Sequence, residues 1–301
     1  MVNINSFLAN LLKWRFPGTA AGFFKSVYRK ETGKHDIELL LDMALAYDRS
    51  NNCIKANEIY SEAMKEYPND ARPCYGMAVL YDMRKDYDKA IEYYKKAIEI
   101  EPGYSRAHFF LANVYDEIGD KDSAVTEYKN VIELKPNDFW AYNNLGVIYE
   151  EQNSNDAALE MFRKCLCISP EHYKALFNMG VIMNKIGYRD KSVDYYLHSI
   201  ARNPHYPYSY LNLAMLYKDE GNYHKAVDIL SNGIRRVKGA AFLYYNRACF
   251  NVRLNKLEDA LKDVFEAVKI SPELIKYMKD DKDLDPVRNL EGYSKISGSL
   301  N

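Results

Sequence analysis

The stretch AYNNLGVIYEEQNSNDAALEMFRKCLCISP, residues 141–170, decides the fold of this chain. It begins with apolar residues at helical spacing, passes through the polar pair Asn153-Ser154, resumes a helical pattern and stops at Pro170. Proline lacks the amide hydrogen that continues a helix, so Pro170 marks the end of the second helical segment. The stretch therefore predicts two helices joined by a short turn.

The same pattern recurs along the chain with a period of 34 residues. Seven blocks fit from Ile37 to Leu274 without insertion or deletion, and each place in a block is numbered from 1 to 34. Position 32 holds Pro68, Pro102, Pro136, Pro170, Pro204, Lys238 and Pro272. A fixed period of this length is typical of a repeat architecture.

Other columns of the blocks indicate how the helices pack. Positions 8, 20 and 27 hold mostly small residues, beginning with Ala44, Ala56 and Ala63, whereas positions 11 and 24 are mostly aromatic, beginning with Tyr47 and Tyr60. Small residues let helix axes approach, and large rings fill the space beside them. A single hairpin cannot bury such a face alone, so stacked hairpins are expected to form a solenoid.

In these columns the sequence resembles the tetratricopeptide repeat (TPR) family, and residues 141–170 carry the family pattern almost column by column. The resemblance covers residues 37–274 and implies an all-α, right-handed solenoid, a superhelix of helical hairpins with flanking capping helices. The last two blocks depart from the pattern at Gly233, Lys238, Arg247 and Asn251. We therefore expect those blocks to be the least regular.

Residues 1–36 do not fit the repeat. Ile4, Phe7, Leu8, Leu11 and Leu12 fall at helical spacing, and the segment is basic. The first interpretation is a cap on the open face of the first repeat, because end repeats need covering. A basic amphipathic helix can also dock on a partner or lie on a membrane surface, and these alternatives stay open.

Residues 275–301 are predicted to form a C-terminal capping helix and a tail. Ile275, Met278 and Leu284 give this segment an apolar edge, and Lys276, Lys279 and Asp280 give it a polar one. The chain is thus expected to have three parts, which are a basic N-terminal segment (1–36), seven TPR repeats (37–274) and the C-terminal segment.

Composition excludes several classes of protein. The 301 residues carry 41 Lys and Arg against 42 Asp and Glu, and a net charge of −1 lacks the electrostatic footprint of a general nucleic-acid binder. Five cysteines, an odd number without framework spacing, indicate reduced thiols and a cytoplasmic location. No secretory signal and no apolar run long enough to span a bilayer is evident.

Catalytic motifs are absent from the sequence. It contains no phosphate-binding loop, no dinucleotide fingerprint, no zinc-protease helix and no nucleophile elbow. The histidines and cysteines do not share a helical face at metal-ligand spacing. The sequence therefore predicts a protein that is not an enzyme and uses no cofactor or metal.

The TPR resemblance implies that positions 2, 5, 6, 9, 12 and 13 of the first helices line a concave groove. Position 6 holds four asparagines in consecutive blocks, Asn144, Asn178, Asn212 and Asn246. A carboxamide has a donor and an acceptor and can pair with an extended peptide backbone. The alternative, which the sequence favours equally, is that asparagine is common at this column in the family and does not indicate a ligand.

Aromatic residues accompany these asparagines in the same helices. Position 2 contributes Trp140 and Tyr208, and position 5 contributes Phe177 and Tyr245. Exposed rings in a groove are typical anchors for the side chains of a peptide. The predicted peptide-binding site therefore consists of these four rings and the four asparagines.

A secondary charged groove is predicted in the N-terminal half. Position 12 holds Asp82, Asp116 and Glu150, and position 2 holds Arg72 and Arg106. An acidic edge would favour a partner rich in Lys or Arg. The alternative is an ordinary solvated face.

The sequence thus favours a non-catalytic scaffold that binds a protein, as an extended peptide or a helix, in its groove. The alternative is an assembly factor on a membrane surface, tethered by the N-terminal segment. Nothing in the sequence indicates the partner's identity or the oligomeric state.

Overall fold

A computed structural model describes residues 36–293 of the chain, and every regular element in that range is helical. The elements are α1 (Ile37–Arg49), α2 (Cys53–Glu66), α3 (Ala71–Asp82), α4 (Tyr87–Ile100), α5 (Ser105–Glu117), α6 (Lys121–Leu134), α7 (Phe139–Glu151), α8 (Asn155–Ile168), α9 (Tyr173–Lys185), α10 (Arg189–Arg202), α11 (Pro207–Asp219), α12 (Tyr223–Arg236), α13 (Ala241–Arg253), α14 (Leu257–Ile270), α15 (Leu274–Asp280), a 3₁₀ turn (Lys282–Leu284) and α16 (Asp285–Arg288).

The helix boundaries follow the 34-residue period. Each of the seven first helices begins at position 1, and each second helix begins at position 17 and ends at position 30. The predicted all-α fold of TPR hairpins is confirmed for the described residues. The interpretations of the N-terminal segment concern residues outside the described range, apart from Asp36, whose carboxylate accepts a hydrogen bond from the Glu38 amide at the start of α1.

The turn inside every hairpin has the same backbone geometry. Position 15 has a positive φ, between 54° and 86°, in all seven repeats, at Asn51, Lys85, Gly119, Asn153, Gly187, Gly221 and Asn255. Glycine and asparagine tolerate this left-handed conformation, so Lys85 is the unusual occupant. The next residue often caps the second helix, as Asp120 does by accepting a hydrogen bond from the Ser123 amide at 3.2 Å.

The chain divides into two compact units, residues 1–148 and 149–301, and the division falls within α7. In the first unit each helix from α1 to α5 packs against the helix that follows it, ending with α5 against α6. The small-residue columns are buried in this unit, since Ala78, Ala90 and Ala112 have no exposed surface. The large rings of Tyr94 and Tyr128 are fully buried with them. The columns that predicted close helix packing therefore form the core.

In the second unit each helix from α8 to α14 packs against the helix that follows it, ending with α14 against α15. Past the seventh repeat, Ile275, Met278, Leu284 and Val287 are buried in the same cluster as Val264 and its neighbours on α14. Arg288 fastens this segment by donating to the backbone carbonyls of Met278, at 2.8 Å, and Asp281, at 2.6 Å. The described C-terminal residues thus bury apolar surface of the last repeat.

The last two repeats have helices of 13 and 14 residues, like the earlier repeats except the second, whose first helix α3 has 12. The irregularity expected from their unusual residues is therefore not seen in their helix lengths. Gly233 is needed because a Cβ there would lie 2.9 Å from Cγ of the buried Tyr210 ring. Arg247 pairs with Asp263. The Nε of Arg247 donates to one carboxylate oxygen of Asp263 at 2.9 Å, and its Nη2 donates to the other at 2.5 Å.

Candidate functional site

Asn144, the first of the four position-6 asparagines, lies in a polar network of the first unit. Its Nδ2 lies 3.1 Å from the hydroxyl of Tyr128 and 3.3 Å from Oδ1 of Asn113, and its Oδ1 accepts from Nδ2 of Asn143 at 3.1 Å. Tyr128 is fully buried and donates its own proton to Asn113 Oδ1 at 2.5 Å. Asn144 therefore satisfies a buried phenol in this structure, a role separate from any ligand.

The other three asparagines lie in the second unit and are half-buried. Asn212 repeats the geometry of the first unit, because its Nδ2 donates to the hydroxyl of Tyr196 at 3.4 Å, again 16 residues earlier in the chain. Asn246 instead donates to the backbone carbonyl of Phe242 at 2.7 Å. Asn178 occupies the same column on α9.

Five aromatic rings, some of them close in sequence to Asn178 and Asn212, contact one another in a continuous series. We call this set the aromatic row. It consists of Tyr173, Phe177, Tyr206, Tyr208 and Phe242. The centroid of Tyr206 lies 5.0 Å from that of Tyr173, 5.3 Å from that of Phe177 and 5.4 Å from that of Tyr208. Tyr208 in turn stacks on Phe242 at 5.4 Å, with 17° between the rings. The row joins the first helices α9, α11 and α13.

The row presents one exposed ring that packs against half-buried rings. Tyr208 is 48% exposed, whereas the other members are half-buried. Burial, together with the nearby hydroxyls of Tyr173 and Tyr208, raises the pKa of Tyr206 to about 12, so its hydroxyl stays protonated. Such a row supplies apolar area together with hydroxyl donors.

Sequence reasoning selected Phe177 and Tyr208 but missed Tyr206 at the centre of the row. Tyr206 occupies position 34, just before α11 begins at Pro207. The signal was present in the first unit, where Tyr104 occupies the same column and lies 5.2 Å from Tyr75 at position 5. Recurrence of tyrosine in the linking residues indicates that they extend the ring contacts.

Tyr245, the remaining predicted anchor of the second unit, contacts the C-terminal segment. Its hydroxyl donates to the carboxylate of Asp281, which also lies 3.8 Å from Sγ of Cys249. Burial first and then this hydrogen bond raise the pKa of Tyr245. Tyr245 thus attaches the segment after the last repeat to α13.

Trp140 and Arg106 lie together in the first unit, although the sequence assigned them to separate sites. They line a cleft of about 170 Å³ with Ser105, Phe109, Lys135 and Asp138. Trp140 is 42% exposed, and its ring lies 5.1 Å from that of Phe139 in an edge contact. The structure therefore brings an exposed indole beside two cations.

The predicted acidic residues all have partners. Asp82 accepts from the hydroxyl of Tyr94 at 3.2 Å, and burial raises the pKa of its carboxyl although this hydrogen bond opposes the shift. Asp116 pairs with Lys121 at 2.5 Å in the first unit. Glu150 pairs with Lys185 at 2.7 Å in the second. Lysines thus compensate the charges of Asp116 and Glu150, whereas Asp82 has a neutral hydroxyl as its partner.

Arg72 differs from Arg106 in its surroundings, although both occupy position 2. Arg72 pairs with Glu38 at 2.5 Å and with Asp70 at 2.6 Å, and hydrogen bonds to these carboxylates raise its pKa further. Its hydrogen bonds also hold the pKa of the Asp70 carboxyl below its usual value. Arg72 therefore joins α1 to α3.

Among residues 36–293, no cluster of three or more His, Cys, Asp and Glu side chains could hold a metal ion. Within the same range, no helix has the length and apolar character needed to cross a membrane.

Four segments of the chain match models of the TPR family. Residues 71–104, 140–173 and 195–228 match models described as tetratricopeptide repeat, and residues 112–153 match one described as TPR repeat. These matches agree with the hairpins of the structure. The chain therefore carries tetratricopeptide repeats over these segments.

Solved structures show the same fold. A TPR protein from Parabacteroides merdae aligns with a TM-score of 0.65 and 19% identity, over 80% of this chain and 96% of its own. PilF of Pseudomonas aeruginosa aligns at 0.55 and 19% identity, over 76% and 97%. YrrB, described as a TPR protein with an unusual peptide-binding site, aligns at 0.53 and 21% identity, over 63% and 96%. No curated protein matched the sequence significantly.

Proposed function

We propose that this protein is a non-catalytic scaffold that binds an extended peptide of a partner protein on the first-helix face of its second unit. The aromatic row is the observation that carries the proposal, because it presents exposed Tyr208 on rings that hold one another in place. Rigid aromatic anchors supply contact area at a small entropy cost. The YrrB structure supports the idea only by showing that this fold can carry a peptide site.

The asparagines have a narrower role in this proposal than a full backbone ladder. Asn144 belongs to the first unit, so it is left out of a peptide site on the second unit. Asn178 and Asn212 lie on α9 and α11 with the aromatic row, and a carboxamide that already makes one hydrogen bond within the chain still has further donor and acceptor capacity for a peptide backbone. Each such bond adds about 0.5–1.5 kcal/mol, so the rings must supply most of the affinity.

A random peptide library displayed on phage tests the proposal. Peptides selected on the full chain are expected to bind with dissociation constants of roughly micromolar, as for transient adaptors. Tyr208→Ala and Phe242→Ala should each weaken binding about tenfold, since truncating an interface aromatic commonly costs more than 1 kcal/mol. Asn178→Ala combined with Asn212→Ala should weaken it less.

Phe265→Ala is the matched control, because Phe265 is 51% exposed but lies on the second helix α14. It should leave the affinity of the selected peptides unchanged. Equal losses from Phe265→Ala and Tyr208→Ala, or the absence of any selected peptide, would contradict the proposal. The cytoplasmic location stays a prediction from the free cysteines.

A further inference from the structure

A second cleft, in the first unit, has a chemistry of its own. It lies where the first turns of α5 and α7 approach Lys135, and Ser105, Arg106, Phe109, Lys135, Asp138 and Trp140 line its volume of about 170 Å³. The aromatic row belongs to the other unit and contributes nothing to it. We call this site the Arg106 cleft.

The cations of the Arg106 cleft form no ion pair with the described part of the chain. Within residues 36–293, neither Arg106 nor Lys135 has a carboxylate at ion-pair distance, whereas Arg72 in the same column as Arg106 has two. The carboxylate that lines the cleft, Asp138, accepts a hydrogen bond from the Ala141 amide at 3.0 Å at the start of α7. Among the residues that the structure describes, the cleft therefore holds two cations without an ion pair and one carboxylate that accepts a backbone hydrogen bond at the start of a helix.

The walls of the cleft are aromatic. Trp140 exposes 42% of its surface, and Phe109 is half-buried with its ring 5.8 Å from that of Tyr128. An indole beside a guanidinium gives a flat apolar surface next to a fork of donors. An anion bound by Arg106 would thus have room for an apolar neighbour on Trp140.

We propose that the Arg106 cleft binds an acidic side chain of an extended peptide, with the peptide's next apolar side chain resting on Trp140 and Phe109. Charge complementarity carries the choice of occupant, because Arg106 and Lys135 form no ion pair with a described residue and a carboxylate can accept from both. The proposal for the Arg106 cleft depends on the proposed function in one respect, which is that the ligand is a peptide. It concerns different residues in a different unit.

A defined peptide makes the proposal testable through Trp140. The chain has two tryptophans, so Trp14→Phe leaves Trp140 as the single indole reporter. The probe is acetyl-Ser-Gly-Glu-Phe-Glu-Leu-Gly-Ser-amide, whose blocked ends carry no charge. Matched peptides carry Gln or Lys in place of both Glu residues, and none of the three contains an indole.

The Glu peptide should change the emission of Trp140 and bind at least about fivefold more tightly than the Gln peptide at about 50 mM salt, as two exposed ion pairs would give. This preference should shrink as salt is raised to about 0.5 M. Arg106→Gln combined with Lys135→Gln should abolish it. Lys129→Gln, which removes an exposed charge of α6 outside the cleft, should preserve it.

The proposal would be overturned if the Glu peptide left the emission of Trp140 unchanged, or if the Glu and Gln peptides bound equally. It would also be overturned if the Lys peptide bound more tightly, or if the preference for Glu survived Arg106→Gln combined with Lys135→Gln. The outcome is distinguishable from that of the proposed function. Tyr208→Ala tests the aromatic row alone, and the Glu preference in the Arg106 cleft should be unaffected by it.

Discussion

The amide nitrogen of Asn144 lies 3.1 Å from the hydroxyl of Tyr128, 16 residues earlier in the chain. Asn212 and Tyr196 repeat this pairing at the same separation in the second unit, at 3.4 Å. In an earlier repeat the same two columns hold Gly76 and Tyr60, and a Cβ on Gly76 would lie 2.4 Å from the Tyr60 ring. The side chain at position 6 is thus matched to the tyrosine of the preceding repeat.

The Asn144–Tyr128 pair should stabilise the first unit. Asn144→Ala removes a donor from a buried phenol, and we expect the free energy of unfolding to fall by about 1–2 kcal/mol. Adding Tyr128→Phe removes the group left unpaired, so the double variant should lose less than the sum of the two single losses. Urea denaturation measures all four forms of this cycle, and simple additivity would show that the pair is not coupled.

Lys85 occupies a turn position where the backbone favours glycine. Its φ of 60° is in the left-handed region, which costs a residue with a Cβ about 1 kcal/mol. Lys85→Gly should therefore raise the free energy of unfolding by several tenths of a kcal/mol, because the greater freedom of glycine in the unfolded chain offsets part of the gain.

Gly119 provides the reverse test of the same turn. Its φ is 86°, and a Cβ there would meet nothing within 4 Å, so Gly119→Ala changes only the backbone preference. This variant should lose about 1 kcal/mol of unfolding free energy. If Lys85→Gly is destabilising while Gly119→Ala is neutral, the left-handed φ at this turn does not carry the expected cost for a residue with a Cβ.

His108 should make the stability of the first unit depend on pH. Its ring nitrogens lie 2.6 Å from an oxygen of Glu127 and 3.0 Å from the carbonyl of Pro102, and two acceptors require both ring nitrogens to be protonated. The hydrogen bond to Glu127 is the main cause that raises the pKa of His108 above its ordinary 6.5, although burial opposes the shift.

Because the folded-state pKa is the higher one, the stabilisation by His108 is fully present below pH 6.5 and is lost as pH rises through the folded value. His108→Gln should therefore destabilise the protein more at about pH 6 than at about pH 9. His198→Gln, at an exposed histidine, should change stability little at either pH. A His108→Gln effect that grows toward pH 9 would contradict the assigned protonation.

Asp263 should be essential to the last repeat. Its side chain is 5% exposed, and Arg247 and Asn251 donate to it, the latter at 3.1 Å. Asp263→Ala leaves the guanidinium without its carboxylate, and we expect a loss of about 2–3 kcal/mol. Replacing both partners, by Arg247→Met with Asp263→Leu, should recover most of it, and hydrogen exchange of α13 and α14 would detect the change locally.

The fold was predictable because its signals are local and repeated. Proline at position 32, turn residues near position 15 and the small-residue columns fixed the hairpins, and even the start of α7 at Phe139 follows from the period. The family resemblance also implies that the first helices line a groove, which stays a prediction. These inferences required no knowledge of individual side-chain contacts.

The site was less predictable because side-chain partners lie on other helices. The sequence shows Asn144 and Tyr128 in two columns, but not that their polar groups meet. Similarly, Arg247 and Asn251 looked like breaks in apolar columns, although Asp263 compensates both. Arg72 and Arg106 were indistinguishable by column, and only the positions of Glu38 and Asp70 separate them.

Hydrogen exchange of the full chain, with and without a saturating phage-selected peptide, tests the central claim most directly. If the aromatic row binds the peptide, protection should rise in the first helices of the second unit, α9, α11 and α13, and Tyr208→Ala should remove it. Protection confined to the second helices α10, α12 and α14, or protection that Tyr208→Ala leaves intact, would show that the peptide binds elsewhere.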